Sequence, residues 1–208
     1  MFVGPCEIAM AFRDFTFPSV QTALGIAVDE VDLYPQVPAV PLREEFVAAI
    51  TDGANLALAI NTEKAKSEFI IAPVLMELRR MLPGAFGLFS GVELDVDAAR
   101  GLNGFCDFIL TRAPKQFILT APLVAIVEAK NDNLRSGLGQ CVAAMVAAQL
   151  FNQKSGVSLP TVFGVVTTGS AWKFLHLQQE IITLDIREYY IDNLGKILGV
   201  FKHIMESA

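Results

Sequence analysis

With 208 residues, 53% of them hydrophobic, the chain can bury one sizeable core and an extra helical layer. Its 16 lysines and arginines stand against 22 acids, a formal charge of −6 with no basic block. Strong solitary binding to nucleic acid, which relies on cations neutralising phosphates, is therefore disfavoured.

The opening MFVGPCEIAMAFRD has no basic segment ahead of an apolar stretch and does not read as a secretory signal. Pro18, Pro35, Pro38 and Pro41 interrupt residues 1–40, and PQVPAVP reads as an extended connector. Residues 1–60 are accordingly expected to be an N-terminal wrapping and helical extension. Its helix runs from Leu42 to Ile60, with Phe46, Val47, Ile50, Leu56 and Leu58 apolar and Gly53 a weak point. A second helix is predicted from Thr62 to Met81, capped by Asn61 or Thr62, bent at Pro73 and ended by Leu82-Pro83-Gly84.

The pattern then changes. Residues 89–96 and 104–111 read as strands joined by the turn-rich DAARGLN, and FILTAP as a short edge piece. The continuous apolar run Leu123-Val-Ala-Ile-Val127 predicts a strand buried on both faces, extending to Lys130. Asn131-Asp132-Asn133 forms a turn and cap. A helix follows over 134–151, with a small-residue AAMVAA centre suited to lying close on a sheet. Strands at 161–167, 172–177 and 181–186 and a helix at 193–205 complete a mixed α/β sheet with one crossover. No apolar stretch reaches the roughly 18 residues of a membrane span. Cys6, Cys106 and Cys141 have no metal-binding spacing, and the last two read as core thiols, so a reducing cytoplasm is the expected location.

Glu128 and Lys130 end an otherwise buried strand. Residues two apart share a face, which sends this carboxylate and ammonium into one site and Ala129 away from it. Asp107 lies in a similarly apolar run, grouped by alternation with Phe105 and Ile109, with Cys106, Phe108 and Leu110 on the opposite face. Unpaired burial of any of these charges is costly, so they require partners or a metal. If the two strands are neighbours, Asp107, Glu128 and the backbone carbonyl of Ala129 supply a partial oxygen shell for Mg2+, with Lys130 beside a scissile phosphate. The competing reading is a buried acid paired with Lys130 and no chemistry.

An acid on one strand, Glu128-Ala129-Lys130 on the next and a helix after it resemble the PD-(D/E)xK nuclease superfamily. KSEFIIAPVLMEL at 66–78 and FGVVTTGSAWKFLHL at 163–177 resemble nuclease-like domains of type I restriction subunits and their stand-alone relatives. The likeness covers about residues 61–180, though the proline often found before the first acid is absent. It implies a restriction-endonuclease-like fold and a metal-dependent DNA phosphodiester hydrolase using Mg2+, or Mn2+ in its place. It also implies a glutamate from the preceding helix and a glutamine from the following one, here Glu68 and Gln140. Glu68 is preferred over Glu63 and Glu77 because 68, 71, 75 and 78 share a helical stripe. Since many members of the superfamily have lost catalysis, a non-catalytic nucleic-acid-associated or protein-interaction module is the alternative.

Other features point elsewhere less strongly. Arg79, Arg80, Arg100, Arg112 and Lys115 are candidates for a converging positive rim. His176 and His203 are too separated for a histidine metal site. Trp172 suits packing as well as base stacking, and Thr167, Thr168 and Ser170 suit a turn. A homodimer or partner subunit is expected, with the apolar stripe Ile197, Leu198, Val200, Phe201 and Ile204 either joining copies or packing on its own sheet.

Overall fold

A computed structural model describes residues 10–113 and 116–207. The apolar run at 123–127 lies, as β4 (Leu123–Ala129), in the middle of a mixed eight-stranded sheet and is buried throughout. The sheet order is β1-β7-β6-β5-β4-β3-β2, with β8 pairing on β6. The strands are β1 (Ala27–Val31), β2 (Gly87–Glu93), β3 (Phe105–Thr111), β5 (Val162–Thr167), β6 (Ala171–Gln178), β7 (Ile181–Asp185) and β8 (Tyr189–Tyr190). β4 and β5 are parallel, as are β1 and β7; every other pairing is antiparallel.

Helices cover both faces. On one lie α1 (Phe17–Leu24) and α5 (Leu134–Lys154), whose Leu138, Cys141, Val142 and Met145 pack over Ile109, Ile126 and Val166. On the other lie α2 (Glu44–Ile60), α4 (Ala72–Met81) and α6 (Leu194–Ser207), packed on Phe108, Val127, Val165 and Phe174. The α6 stripe Ile197, Leu198, Val200, Phe201 and Ile204 is fully buried there, so it packs on its own sheet and is not a free dimer surface. Trp172 is likewise interior: its ring meets Phe201 edge-on at 5.8 Å and its indole N–H donates to the Gly169 carbonyl, which rules out base stacking.

α5 is the crossover between β4 and β5 and is fixed at its far end by Asn152. That buried amide accepts from Leu123 N at 2.7 Å and donates to Leu123 O at 2.9 Å, pinning the helix to the first residue of β4. Near its start, a Cβ at Gly139 would collide with the Phe15–Thr16 backbone. Glycine inside a helix costs about 1 kcal/mol relative to alanine, a penalty accepted here for the close crossing.

Three expectations change. Residues 10–40 do more than wrap, since they supply α1 and the edge strand β1, which extends the sheet through β7. FILTAP forms no strand. The helix predicted over 62–81 is interrupted: α3 (Glu63–Lys66) leads into a π-helical stretch, Ser67–Ile71, and then α4. Thr62 caps it, accepting from Ala65 N at 3.2 Å, while Asn61 ends α2 in the left-handed conformation. Pro73 has no N–H for the Phe69 carbonyl, and that oxygen instead lies against α2, where a Cβ on Gly53 would strike it. No helix among the described residues is long and apolar enough to cross a membrane.

Candidate active site

The site forms where β3 and β4 separate. Their ladder pairs Phe108 with Val127 and Ile109 with Ile126 and goes no further toward the Asp107 end. Cys106 packs in the same layer as Ile109, and Phe108 and Leu110 in the other, so simple alternation fails between 106 and 109. At that irregularity the Asp107 carboxylate accepts the Ala129 N–H at 2.8 Å, taking a donor that strand pairing leaves free. On its other edge β4 continues in register with β5, where Lys130 N donates to Thr167 O at 2.8 Å. Alternating peptide directions along a strand therefore turn the Ala129 carbonyl toward Asp107 as well.

Glu128 is 1% exposed on the α5 face. Its Oε1 accepts from Lys130 Nζ at 2.7 Å, and Lys130 Nζ also donates to Gln140 Oε1 at 3.2 Å. Glu128 Oε2 is buried and has no hydrogen-bond partner among the described residues. Burial is the main force that pushes the Glu128 carboxyl up to about 8; Asp107 and, more weakly, Glu63 add to it, and Lys130 opposes it. Burial also raises Asp107, against the Ala129 N–H and Lys130. For Lys130, burial acts to lower the ammonium, but Glu128 outweighs it by charge and hydrogen bond, with Glu63 and Asp107 behind, and the group ends above its ordinary value. In the folded chain both carboxyls therefore resist ionisation, and Lys130 offsets only part of the effect of burial.

The helix before the sheet covers this end through residues that the sequence reading did not select. Lys66, 4% exposed, donates to the Asn131 carbonyl at 2.5 Å and to Asn131 Oδ1 at 3.1 Å, tying α3 to the turn after β4. Ile70 sits against Gly169, whose φ of +79° suits glycine in the β5–β6 turn. Glu68 does not join the cluster. It is half-exposed and pairs with Lys64 at 2.7 Å. The cause is the π turn: the buried positions run 65, 66, 70, 71, 74, 75, 77 and 78, with a step of five from Lys66 to Ile71, which rotates Glu68 to the outside. Glu63, exposed in the first turn of α3, is instead the helix acid whose charge reaches Glu128 and Lys130. Glu77 is buried between Arg43 at 2.9 Å and Arg80 at 2.7 Å.

Two of the candidate rim cations are engaged elsewhere. Arg80 is held by Glu77, and Arg112 follows the end of β3 opposite Asp107, donating to the Met205 carbonyl. Lys115 and Cys6 lie outside the described residues. Thr167 and Thr168 make turn bonds, Thr167 Oγ1 to the Ala171 carbonyl at 2.9 Å and Thr168 Oγ1 with Ser170 Oγ at 3.1 Å. Asn133 caps α5 by accepting from Arg135 N. The Cys106 and Cys141 thiols are buried and pushed up by burial, as suits core residues.

Glu128, Lys130 and Gln140 thus form one hydrogen-bonded cluster, and Asp107, bonded to the Ala129 N–H, lies near enough for its charge to act on Glu128 and Lys130, whereas Glu68 lies outside. Among the described residues no group of three or more His, Cys, Asp or Glu side chains is arranged to hold a metal ion. A divalent cation would nonetheless meet a buried carboxylate oxygen without a partner among the described residues and, within reach of its charge, a second carboxylate, the hard-oxygen chemistry that magnesium takes. Comparison with known proteins gives no family model, no curated protein and no solved structure that matches the chain.

Proposed function

We propose that the chain is a metal-dependent DNA phosphodiester hydrolase on a restriction-endonuclease-like version of the mixed sheet. One observation carries the reading: among the described residues Glu128 Oε2 is buried without a hydrogen-bond partner, within reach of the Asp107 charge, while Lys130 holds the other oxygen. Such an arrangement is costly unless a cation completes it. Magnesium, or manganese in its place, would be held by Asp107, Glu128 and the Ala129 carbonyl, and would supply positive charge and a bound water of lowered pKa. Lys130, held by Glu128 and Gln140, would place an ammonium where charge develops on a phosphoryl oxygen. Gln140 orients that ammonium.

A net charge of −6 favours action as a subunit of a larger DNA-bound assembly, in a cytoplasmic setting, over tight binding alone. The second reading, a non-catalytic module, is favoured by the Glu128–Lys130 pair, which neutralises part of the cluster internally. Duplex DNA incubated with the purified full chain and magnesium or manganese separates the two. Cleavage that disappears in Lys130→Ala and Glu128→Ala supports the hydrolase. Wild-type protein with neither cleavage nor calorimetric magnesium binding leaves the non-catalytic module.

A further inference from the structure

We propose that Gly137 is a positioning residue for Lys130, its missing side chain forming the slot in which the lysine stem lies. A Cβ at Gly137 would stand 2.9 Å from Lys130 Cγ and 3.2 Å from Lys130 Cε, and 2.7 Å from Val166 Cγ1. Real Cβ atoms rarely approach other atoms so closely, so the lysine stem, Val166 or the helix would have to move. Gly137 lies in the first turns of α5, a helix anchored at its other end by Asn152 on Leu123, which restricts any retreat of the helix. Val166 is interior, and on β5 it is the register partner of Glu128. Lys130, partly exposed, is the neighbour with room to give.

The same face of α5 holds the lysine at two levels. Gly137 flanks its methylenes, and Gln140, one turn on, accepts from its Nζ at 3.2 Å. The stem is thereby directed at Glu128 Oε1, 2.7 Å from the ammonium. Gly139, two residues away, serves another contact, the backbone of Phe15 and Thr16. The two glycines therefore separate a role at the lysine from a role in packing.

The functional weight of this slot rests on the hydrolase reading, but the slot itself can be tested without it. In full-length protein labelled at lysine 13Cε and 15Nζ, the metal-free NMR signal of Lys130 reports its pairing with Glu128. Gly137→Ala should move that signal toward the position of a solvated lysine, while Gly139→Ala, though destabilising, leaves it in place. Gly137→Ala combined with Val166→Ala removes the contact to Val166 alone, so it should restore stability while the Lys130 signal stays displaced. A native Lys130 signal in folded Gly137→Ala overturns the proposal, as does an equal displacement in Gly139→Ala. If Gly137→Ala does not fold, the double variant decides, and a native signal there is equally fatal. Where the wild type cleaves DNA, Gly137→Ala should lower kcat by up to about a hundredfold with little change in KM, the loss typical of a misplaced group. Absence of cleavage by the wild type sinks the hydrolase reading and leaves the signal test intact.

Discussion

Replacing Glu128 by glutamine removes the ionisable group while retaining an oxygen for Lys130, and the consequence can be worked out from burial. Raising this carboxyl from its ordinary 4.5 to about 8 disfavours its ionised form in the folded chain by at most about 5 kcal/mol, at 1.36 kcal/mol per pH unit. Above pH 4.5 the unfolded chain releases this proton while the folded chain retains it, so the folded state binds more protons and loses stability as pH rises toward about 8. Asp107, also raised, acts in the same direction. Lys130, raised above 10.5, loses its contribution only at more alkaline pH and does not interfere. Urea unfolding of metal-free protein should therefore show stability falling by a few kcal/mol between about pH 5 and pH 8. In Glu128→Gln that slope should be much reduced and stability at pH 8 higher than in the wild type. Saturating magnesium, binding the folded wild type alone, should restore about 2.7 kcal/mol at a hundred times its Kd and have little effect on the variant. A wild-type profile that is flat over this range, or a variant that keeps the full slope, would refute the reasoning.

Two further outcomes concern the framework. Arg43 and Arg80 surround Glu77; the Arg80 hydrogen bond is the largest influence and, against the opposing effect of burial, the carboxyl is held at about 2. This stabilisation is complete above pH 4.5 and is lost as pH falls toward 2. Arg80→Ala should therefore lower stability near neutrality and progressively less in acid, as read by chemical denaturation. Asn152→Ala leaves the Leu123 N–H and C=O buried without their partner and should cost about 3 kcal/mol, with amide exchange at Leu123 accelerated; an unchanged midpoint would show that α5 is not pinned there.

Much of the architecture was legible in the sequence because it rests on local signals. The apolar run at 123–127, the caps around Thr62 and Asn133 and the small-residue centre of α5 each report the environment of their own segment. The same holds for Glu128 and Lys130, whose two-residue spacing places them on one face whatever lies opposite. Tertiary structure decided the rest. Glu68 was misplaced because helical periodicity assumes about 3.6 residues per turn, and the π stretch ahead of Pro73 inserts an extra step that only packing against α2 and the β5–β6 turn reveals. Lys66 was passed over for the same reason, since its burial follows from that change of phase. The Asp107 bond to Ala129 depends on where two strands part, and the apolar stripe of α6 could be assigned to core or interface only once the sheet beneath it was known. Residue patterns specify what one segment buries; which partner meets it is set by contacts between segments distant in the chain.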